Sequence, residues 1–385
     1  MKLWMAQVVI TTPSVLITSD SKELSAIKWD IVVVDEAQQM KNHAARLTKV
    51  LSDRQQFNFN HKILLTGTPI QNSMDELWTL LNFVAPDQFG NLDDFLDKYG
   101  AANMKSKERT EKLHNEIRPY ILRRLKEDVE KPVPPKEETL IEVELTVLQK
   151  KYYRAIYERN IRFLYQNRKT SNGPSLRNIF MELRKCCNHP FLLQGVEQLV
   201  RKKEAKKKLI SEEGDLLVNA SGKLVLLDKL LPRLKRDGHR VLIFSQFVIM
   251  LNILEDYLNA RSFKTERIDG SITGLKRQNA IDRFQEKGDG KEKPFVMLLS
   301  TKAGGVGINL TAADTCIMFD SDFNPQNDIQ AQARCHRIGQ TKSVKVYRLL
   351  SRKTYEMCMF RMSSLKLGLD QAVLYGVEKK SVRAD

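Results

Sequence analysis

The sequence predicts an α/β protein in which two α/β domains flank a helical stretch. Three observations carry that prediction. In the first part of the chain short β-branched runs alternate with amphipathic segments, the pattern of buried parallel strands covered by helices. The same alternation resumes after Ser221-Gly222. Between the two lie long, charged segments of helical period, broken at Pro132, Pro134 and Pro135, where proline stops a helix.

Taken in order, residues 7–12 and 30–34 read as buried strands, 44–51 as a helix, 61–65 as a strand and 74–84 as a helix. Residues 95–213 read as helices. Within them Arg201 to Lys208 is a charge run, which can be a solvated helix face, a nuclear-import signal or a DNA contact. The third part reads as helix 223–235, strand 240–244, helix 248–258, strand 265–268, helix 275–284, strands 295–299 and 315–319, helix 328–334 and strand 344–349. The predicted divisions are an α/β part over residues 1–94, a helical insertion and linker over 95–220, and a second α/β part over 221–385.

A chain of 385 residues is too long for one core, and its 42% hydrophobic residues suffice for about two or three domains. Lys and Arg number 63 against 47 Asp and Glu, a surplus of +16 that favours a polyanionic partner such as nucleic acid, or else serves solubility. The cysteines, Cys186, Cys187, Cys316, Cys335 and Cys358, form no C-x-x-C pair and read as free thiols of a reducing compartment. Cys186-Cys187-Asn188-His189 sets candidate ligands side by side, without the second pair that a zinc site needs. No stretch approaches the ~20 apolar residues of a membrane span, and the N-terminus has too little apolar length for a signal peptide. A soluble, intracellular protein with no membrane partner is expected.

Ile31-Val32-Val33-Val34 leads into Asp35-Glu36-Ala37-Gln38, which puts two carboxylates at the C-terminal tip of a strand, where open α/β sheets bind ligands. In a nucleotide hydrolase the first carboxylate holds Mg²⁺, usually through water, and the second orients or deprotonates the attacking water. Acidic residues capping an ordinary strand end would look the same. Thr66-Gly67-Thr68-Pro69 follows the next strand as a small polar loop, either a simple turn or part of the same active edge. In the third part Ser300-Thr301-Lys302-Ala303-Gly304-Gly305-Val306-Gly307 ends a strand with glycines that let backbone N–H groups approach an anion. Arg334 and Arg337, three apart, would share a helix face and could reach a triphosphate, or could simply be solvated.

These motifs in this order resemble those of the Snf2 family of superfamily-2 helicase-like ATPases, along essentially the whole chain. Residues 122–131 and 181–190 look like the chromodomain-helicase-DNA-binding type, and residues 345–350 and 364–370 point to its kismet-like subfamily. The resemblance implies two RecA-like lobes, the first incomplete, that clamp double-stranded DNA, hydrolyse ATP with Mg²⁺ and shift nucleosomes in the nucleus. Histones and other remodeller subunits would be further partners. On that template Asp35 and Glu36 are the Mg²⁺ and water-activating carboxylates, and Arg334 and Arg337 are arginine fingers. Gln38, Gln330, Gly305 and Gly307 would face the nucleotide. Thr11, Thr12, Thr66, Gly67, Thr68, Ser245, Gln246, Ser300, Thr301, Lys302, Phe323 and Asn324 resemble DNA-contacting and lobe-coupling positions. Backbone contacts of that kind give affinity without sequence preference.

Gln38 stands where most of the family has His, Lys302 replaces the usual Arg, and Phe323 a usual Trp, which keeps an apolar ring without the indole donor. The sequence nowhere contains G-x-x-x-x-G-K-[ST], the loop that cradles the phosphates. A chain beginning partway through the first lobe is therefore expected, either a fragment of the motor or a non-catalytic DNA- or nucleosome-binding module derived from one. An RNA helicase would share the carboxylate motif, but the segments around Leu122 and Cys186 argue against it.

Overall fold

A computed structural model describes residues 6–40, 46–53, 55–67, 74–99, 107–122, 124, 134–160, 164, 178–206, 213–286, 293–301 and 307–375. The chain divides into two compact units, residues 126–365 and the remainder, 1–125 with 366–385.

In the first unit two parallel strands, β1 (Trp29–Val34) and β2 (Phe59–Leu64), pair in the register Trp29↔Phe59 to Val34↔Leu64. The crossover between them carries helix α1 (Arg46–Ser52), as a parallel pair requires. Helix α2 (Met74–Val84) is buried along most of its length, and its Leu80 and Phe83 join Met40, Leu47 and Phe57 in a core beneath the strands. Helices α3 (Leu92–Tyr99) and α4 (Lys107–Ile117) close a second cluster around Leu77, Phe89 and Leu113.

Residues 7–12 do not form the expected strand. Val8 and Ile10 are exposed and make no ladder among the described residues. The physical reason lies at Thr12-Pro13: the Thr12 hydroxyl accepts from Val15 N, and Pro13 opens a helical turn, so the extended stretch ends in a helix-start signal.

The second unit is built on a six-stranded, wholly parallel sheet in the order β3-β8-β7-β4-β6-β5. Its strands are β3 (Lys136–Val143), β4 (Val241–Ser245), β5 (Thr265–Ile268), β6 (Val296–Ser300), β7 (Thr315–Met318) and β8 (Val344–Ser351). β4, β6 and β7 are buried at every residue, as continuous Val/Leu/Ile runs covered on both faces should be. The helices of this unit are α5 (Val147–Tyr157), α6 (Ile179–Asn188), α7 (Val196–Lys206), α8 (Glu213–Ala220), α9 (Gly222–Arg236), α10 (Val248–Ala260), α11 (Gly274–Gln285), α12 (Pro325–Gln332) and the part of α13 (Tyr355–Tyr375) up to residue 365. One face of the sheet packs through Val241, Ile243, Val296 and Leu298 with Leu224, Leu227 and Leu254. The other packs through Leu242, Phe244, Met297 and Leu299 with Phe284 and Ala331. This is an α/β fold.

The stretch expected to be helical thus contributes β3, an edge strand. Its pattern, Lys136-Glu137-Glu138-Thr139-Leu140-Ile141-Glu142-Val143, is mostly polar and exposed because only one edge and part of one face are covered, so hydrophobic periodicity gives no warning of it.

Candidate functional site

In the first unit Val34 and Leu65 bring two strand ends together: Leu65 N donates to Val34 O and Ala37 N to Leu65 O, both at 2.9 Å. Buried Ala37 and Met40 anchor a 3-10 turn just beyond β1. Between strand and turn, Glu36 has φ 51°. A left-handed conformation costs a non-glycine residue roughly 1–3 kcal/mol and is held only where surroundings impose it, most often at functional sites.

The constraint is visible. Glu36 N donates to Asp35 Oδ1 at 2.9 Å, Gln38 Nε2 donates to Glu36 Oε2 at 2.6 Å, and the Thr66 hydroxyl donates to Gln38 Oε1 at 2.8 Å. An ionised carboxylate only accepts, so the Gln38 amide must turn its nitrogen to Glu36 and its oxygen to Thr66. Asp35, Glu36, Gln38 and Thr66 are therefore one assembly, with Gln38 at its centre. Asp35 is exposed and Glu36 half-buried. Gly67 is exposed and has open space where a side chain would project. Thr68 lies outside the described residues. Thr11 is exposed, and Thr12 caps its helical turn.

In the second unit the C-terminal ends of β4, β6 and β7 converge. Thr301 N donates to Ser245 O at 3.1 Å. The Ser245 hydroxyl donates to Asp320 Oδ2 at 2.5 Å and Gln246 N to Asp320 Oδ1 at 2.9 Å. Asn188 Nδ2 adds a third bond to Asp320, at 3.0 Å. Full burial pushes the Asp320 carboxyl up, against the Ser245 hydrogen bond and the nearby Lys223 charge. Lys223, itself buried, donates to Asn188 Oδ1 (3.0 Å), Phe319 O (2.7 Å) and Glu356 Oε1 (2.5 Å). Ser245 thus faces inward as support for the strand ends. Two polar atoms there, Thr301 Oγ1 and Gln246 Nε2, are buried with no hydrogen-bond partner among the described residues. Ser300 is buried, and Gly307 has φ 60°, a conformation suited to glycine. Lys302 and Gly305 lie outside the described residues.

A second network fixes the loop after β7 and helix α12. Arg348 on β8 donates through Nε and Nη2 to Glu138 of β3 (3.0 and 2.9 Å), and through Nη1 to Ser321 Oγ (3.0 Å) and Asp328 Oδ2. Asp328 Oδ1 in turn accepts from Asp322 N at 3.1 Å. Burial pushes the Asp328 carboxyl up to about 6 against the pull of Arg348. Asn324 accepts from Gln326 N and caps α12. Phe323 is 46% exposed, with the Arg184 guanidinium 4.6 Å from its ring centre.

Helix α12 differs from expectation. It starts earlier, at the Asn324-Pro325 cap, and ends at Gln332. Gln330 lies on it, half-buried, but Arg334 and Arg337 follow in turns, so they do not share a helix face. Arg334 is buried and Arg337 exposed. Gln340 holds this turn region by donating to the carbonyls of Thr311, Ala313 and Cys335. Sequence reasoning missed Lys223, Asp320, Arg348 and Glu356, and did not see the role of Asn188. Asp320 had a signal, since like Asp35 it is an acidic residue just past an apolar strand; the others emerge only from tertiary contact.

Residues 1–192 match the model of the SNF2-related domain, and residues 222–339 that of the helicase conserved C-terminal domain. The chain belongs to the Snf2 family. Over 377 residues it is 54% identical to chromodomain-helicase-DNA-binding protein 6 of Rattus norvegicus, covering 97% of this chain and 14% of that protein. It is 55% identical over 370 residues to protein 7 of the same series from Homo sapiens (95% and 12%), and 55% over 363 residues to protein 8 from Mus musculus (93% and 14%). These relatives place it in the chromodomain-helicase-DNA-binding type, and the kismet-like subfamily fits them. The Snf2 chain spans about a seventh or less of their length.

Proposed function

We propose that this chain is the ATP-hydrolysing, double-stranded-DNA-translocating part of a nuclear nucleosome remodeller. The observation that carries the reading is Glu36, held in a left-handed conformation with one carboxylate oxygen bonded to Gln38 and the other without a hydrogen-bond partner among the described residues. Glu36 Oε1 is the atom that would orient the attacking water and take its proton, while Gln38 keeps the carboxylate aimed and Thr66 keeps Gln38 aimed. Asp35 suits Mg²⁺: it is exposed, oxygen-bearing and engaged through only one oxygen, and nucleotide-bound Mg²⁺ characteristically takes one or two carboxylates beside phosphates and waters. When bound, Mg²⁺ would neutralise charge developing on the phosphates. Exposed Arg337 could donate to the transferring phosphoryl group, and Gln330 and Gln38 would contact the nucleotide.

DNA would be held through its backbone, a role the +16 charge suits. Gly67, Gln246, Thr301, Phe323 and Asn324 are the described residues proposed for that contact or for coupling it to hydrolysis. Histones and other remodeller subunits are proposed partners.

A second reading is a DNA- or nucleosome-binding module without turnover, which the +16 charge would serve equally. ATP hydrolysis by the gene product, with and without nucleosomes, separates the two. Under the first reading Glu36→Gln lowers DNA-stimulated turnover at least about a hundredfold, the scale of a general base, and leaves DNA binding intact. Absence of turnover in the unmodified protein would leave only the second.

A further inference from the structure

The second unit carries a groove of about 760 Å³, within the range of roughly 300–1,000 Å³ usual for binding sites, on a face that the motor residues above do not use. Its walls are α5, the start of α6, and the turn from β8 into α13. Eight of its thirteen lining residues are Tyr, Phe, Met or Arg, the types enriched where proteins bind one another. Two aromatic rings are solvent-facing: Tyr157 is 72% and Phe180 57% exposed. Phe180 is already set in place by stacking on Tyr355, with ring centres 4.7 Å apart and planes at 29°. Tyr355 is held in turn, its N–H donating to Tyr153 Oη at 2.9 Å. The floor is therefore a preformed aromatic shelf.

Charge around the shelf is one-sided. Arg154, Arg352, Lys353 and Arg361 line it, against Glu142 alone. Arg154 is matched by Glu158 and Arg352 by Glu142 and Glu144. Lys353 and Arg361 have no carboxylate partner among the described residues. A nucleic acid would need cations tracking a backbone, whereas here two unmatched cations flank an apolar floor. That arrangement fits a short segment with one or two large apolar side chains between carboxylates.

We propose that this groove is a docking site for an acidic peptide segment of a partner protein, anchored by an aromatic or leucine side chain on the Phe180–Tyr355 shelf and by carboxylates on Lys353 and Arg361. The site is independent of ATP hydrolysis.

Cys358 lines the groove and is the exposed thiol among cysteines of which the other four are buried, so its alkylation rate reports occupancy directly. The test uses the full chain without nucleotide and a fluorescent heptapeptide, Glu-Phe-Asp-Leu-Asp-Phe-Glu. Saturable binding that slows Cys358 alkylation at least fivefold, and that weakens at least tenfold in Phe180→Ala and in Arg361→Glu, is the expected result. Both substituted residues are exposed, so folding is preserved, and an unchanged circular dichroism melt confirms it. Equal binding by the peptide with Lys in place of every acid, an absence of thiol protection, or protection by duplex DNA in place of the peptide would each overturn the proposal.

Discussion

Gln38 carries more of the first site than its place after the carboxylates suggests. Its amide offers a donor and an acceptor, so it bonds the Glu36 carboxylate and the Thr66 hydroxyl at once. Gln38→Ala removes both bonds. If Glu36 is the general base, turnover falls about tenfold or more, which steady-state kinetics would show. Gln38→Glu sets a second carboxylate against Glu36 and should be worse. The motif was legible as a pair of acids at a strand tip. Its hydrogen-bonded relay to Thr66 was not, because 28 residues separate Gln38 from Thr66 and no periodicity links them.

His189 is the residue whose titration reaches stability most directly. It is fully buried, Nε2 meets Leu217 O at 3.0 Å and Nδ1 accepts from Phe191 N, and burial pulls its pKa from 6.5 to about 4. The folded state thus holds the neutral ring while the unfolded chain takes up a proton below pH 6.5. The stability it contributes is present above 6.5 and is lost as pH falls toward 4, by about 2 kcal/mol at pH 5. Asp328 acts oppositely: raised to about 6, it makes the fold more stable as pH falls from 6 toward 4. Urea midpoints at pH 7 and pH 5 should therefore be compared between the unmodified protein and His189→Gln, and the variant should lose less on acidification. The sequence set Cys186-Cys187-Asn188-His189 side by side without the second pair that a zinc site needs; what the run builds is a buried structural junction.

At the scale of elements, the junction of α6, α9, β7 and α13 depends on one ion pair. Lys223 and Glu356 are almost wholly buried, and Glu356 Oε2 also accepts from Ser351 N at 2.8 Å. Lys223→Ala strands a buried carboxylate and should cost about 3–5 kcal/mol, read as a shifted denaturation midpoint, whereas Lys223→Met with Glu356→Gln should recover part of it. One residue earlier, Gly222 starts α9 so close to β3 that a Cβ would overlap the Glu144 carbonyl oxygen. Gly222→Ala should destabilise the unit by more than about 1 kcal/mol, a loss that thermal melting would detect. The Ser221-Gly222 punctuation was legible; that its glycine serves close packing against β3 was not, since β3 itself was hidden by its charged, edge-strand pattern.

For the whole molecule, composition spoke more plainly than detail. The α/β class followed from strand-sized apolar runs, and β4, β6, β7 and β8 lie within a residue or two of their predicted places. Where prediction slipped, at residues 7–12 and at the start of α12, capping chemistry outweighed hydrophobic patterning. The charge of +16 leads to an expectation for the chain entire: affinity for duplex DNA should fall steeply as salt rises from 50 to 200 mM, linearly on logarithmic axes, by fluorescence anisotropy. A flat response would remove the backbone-contact argument.

The edge strand has a consequence for how the protein comes to be. Among the described residues β3 pairs with β8 alone, and Glu138 meets Arg348 from 210 residues away. During synthesis β3 leaves the ribosome before its partner and waits, unpaired, while β4, β5, β6, β7 and the helices between them are made. Only when β8 emerges can the sheet acquire its last edge, so closure of this unit is a late event in translation. A nascent chain stalled before residue 344 should present β3 as a protease-sensitive strand, and one stalled well after residue 351 should not.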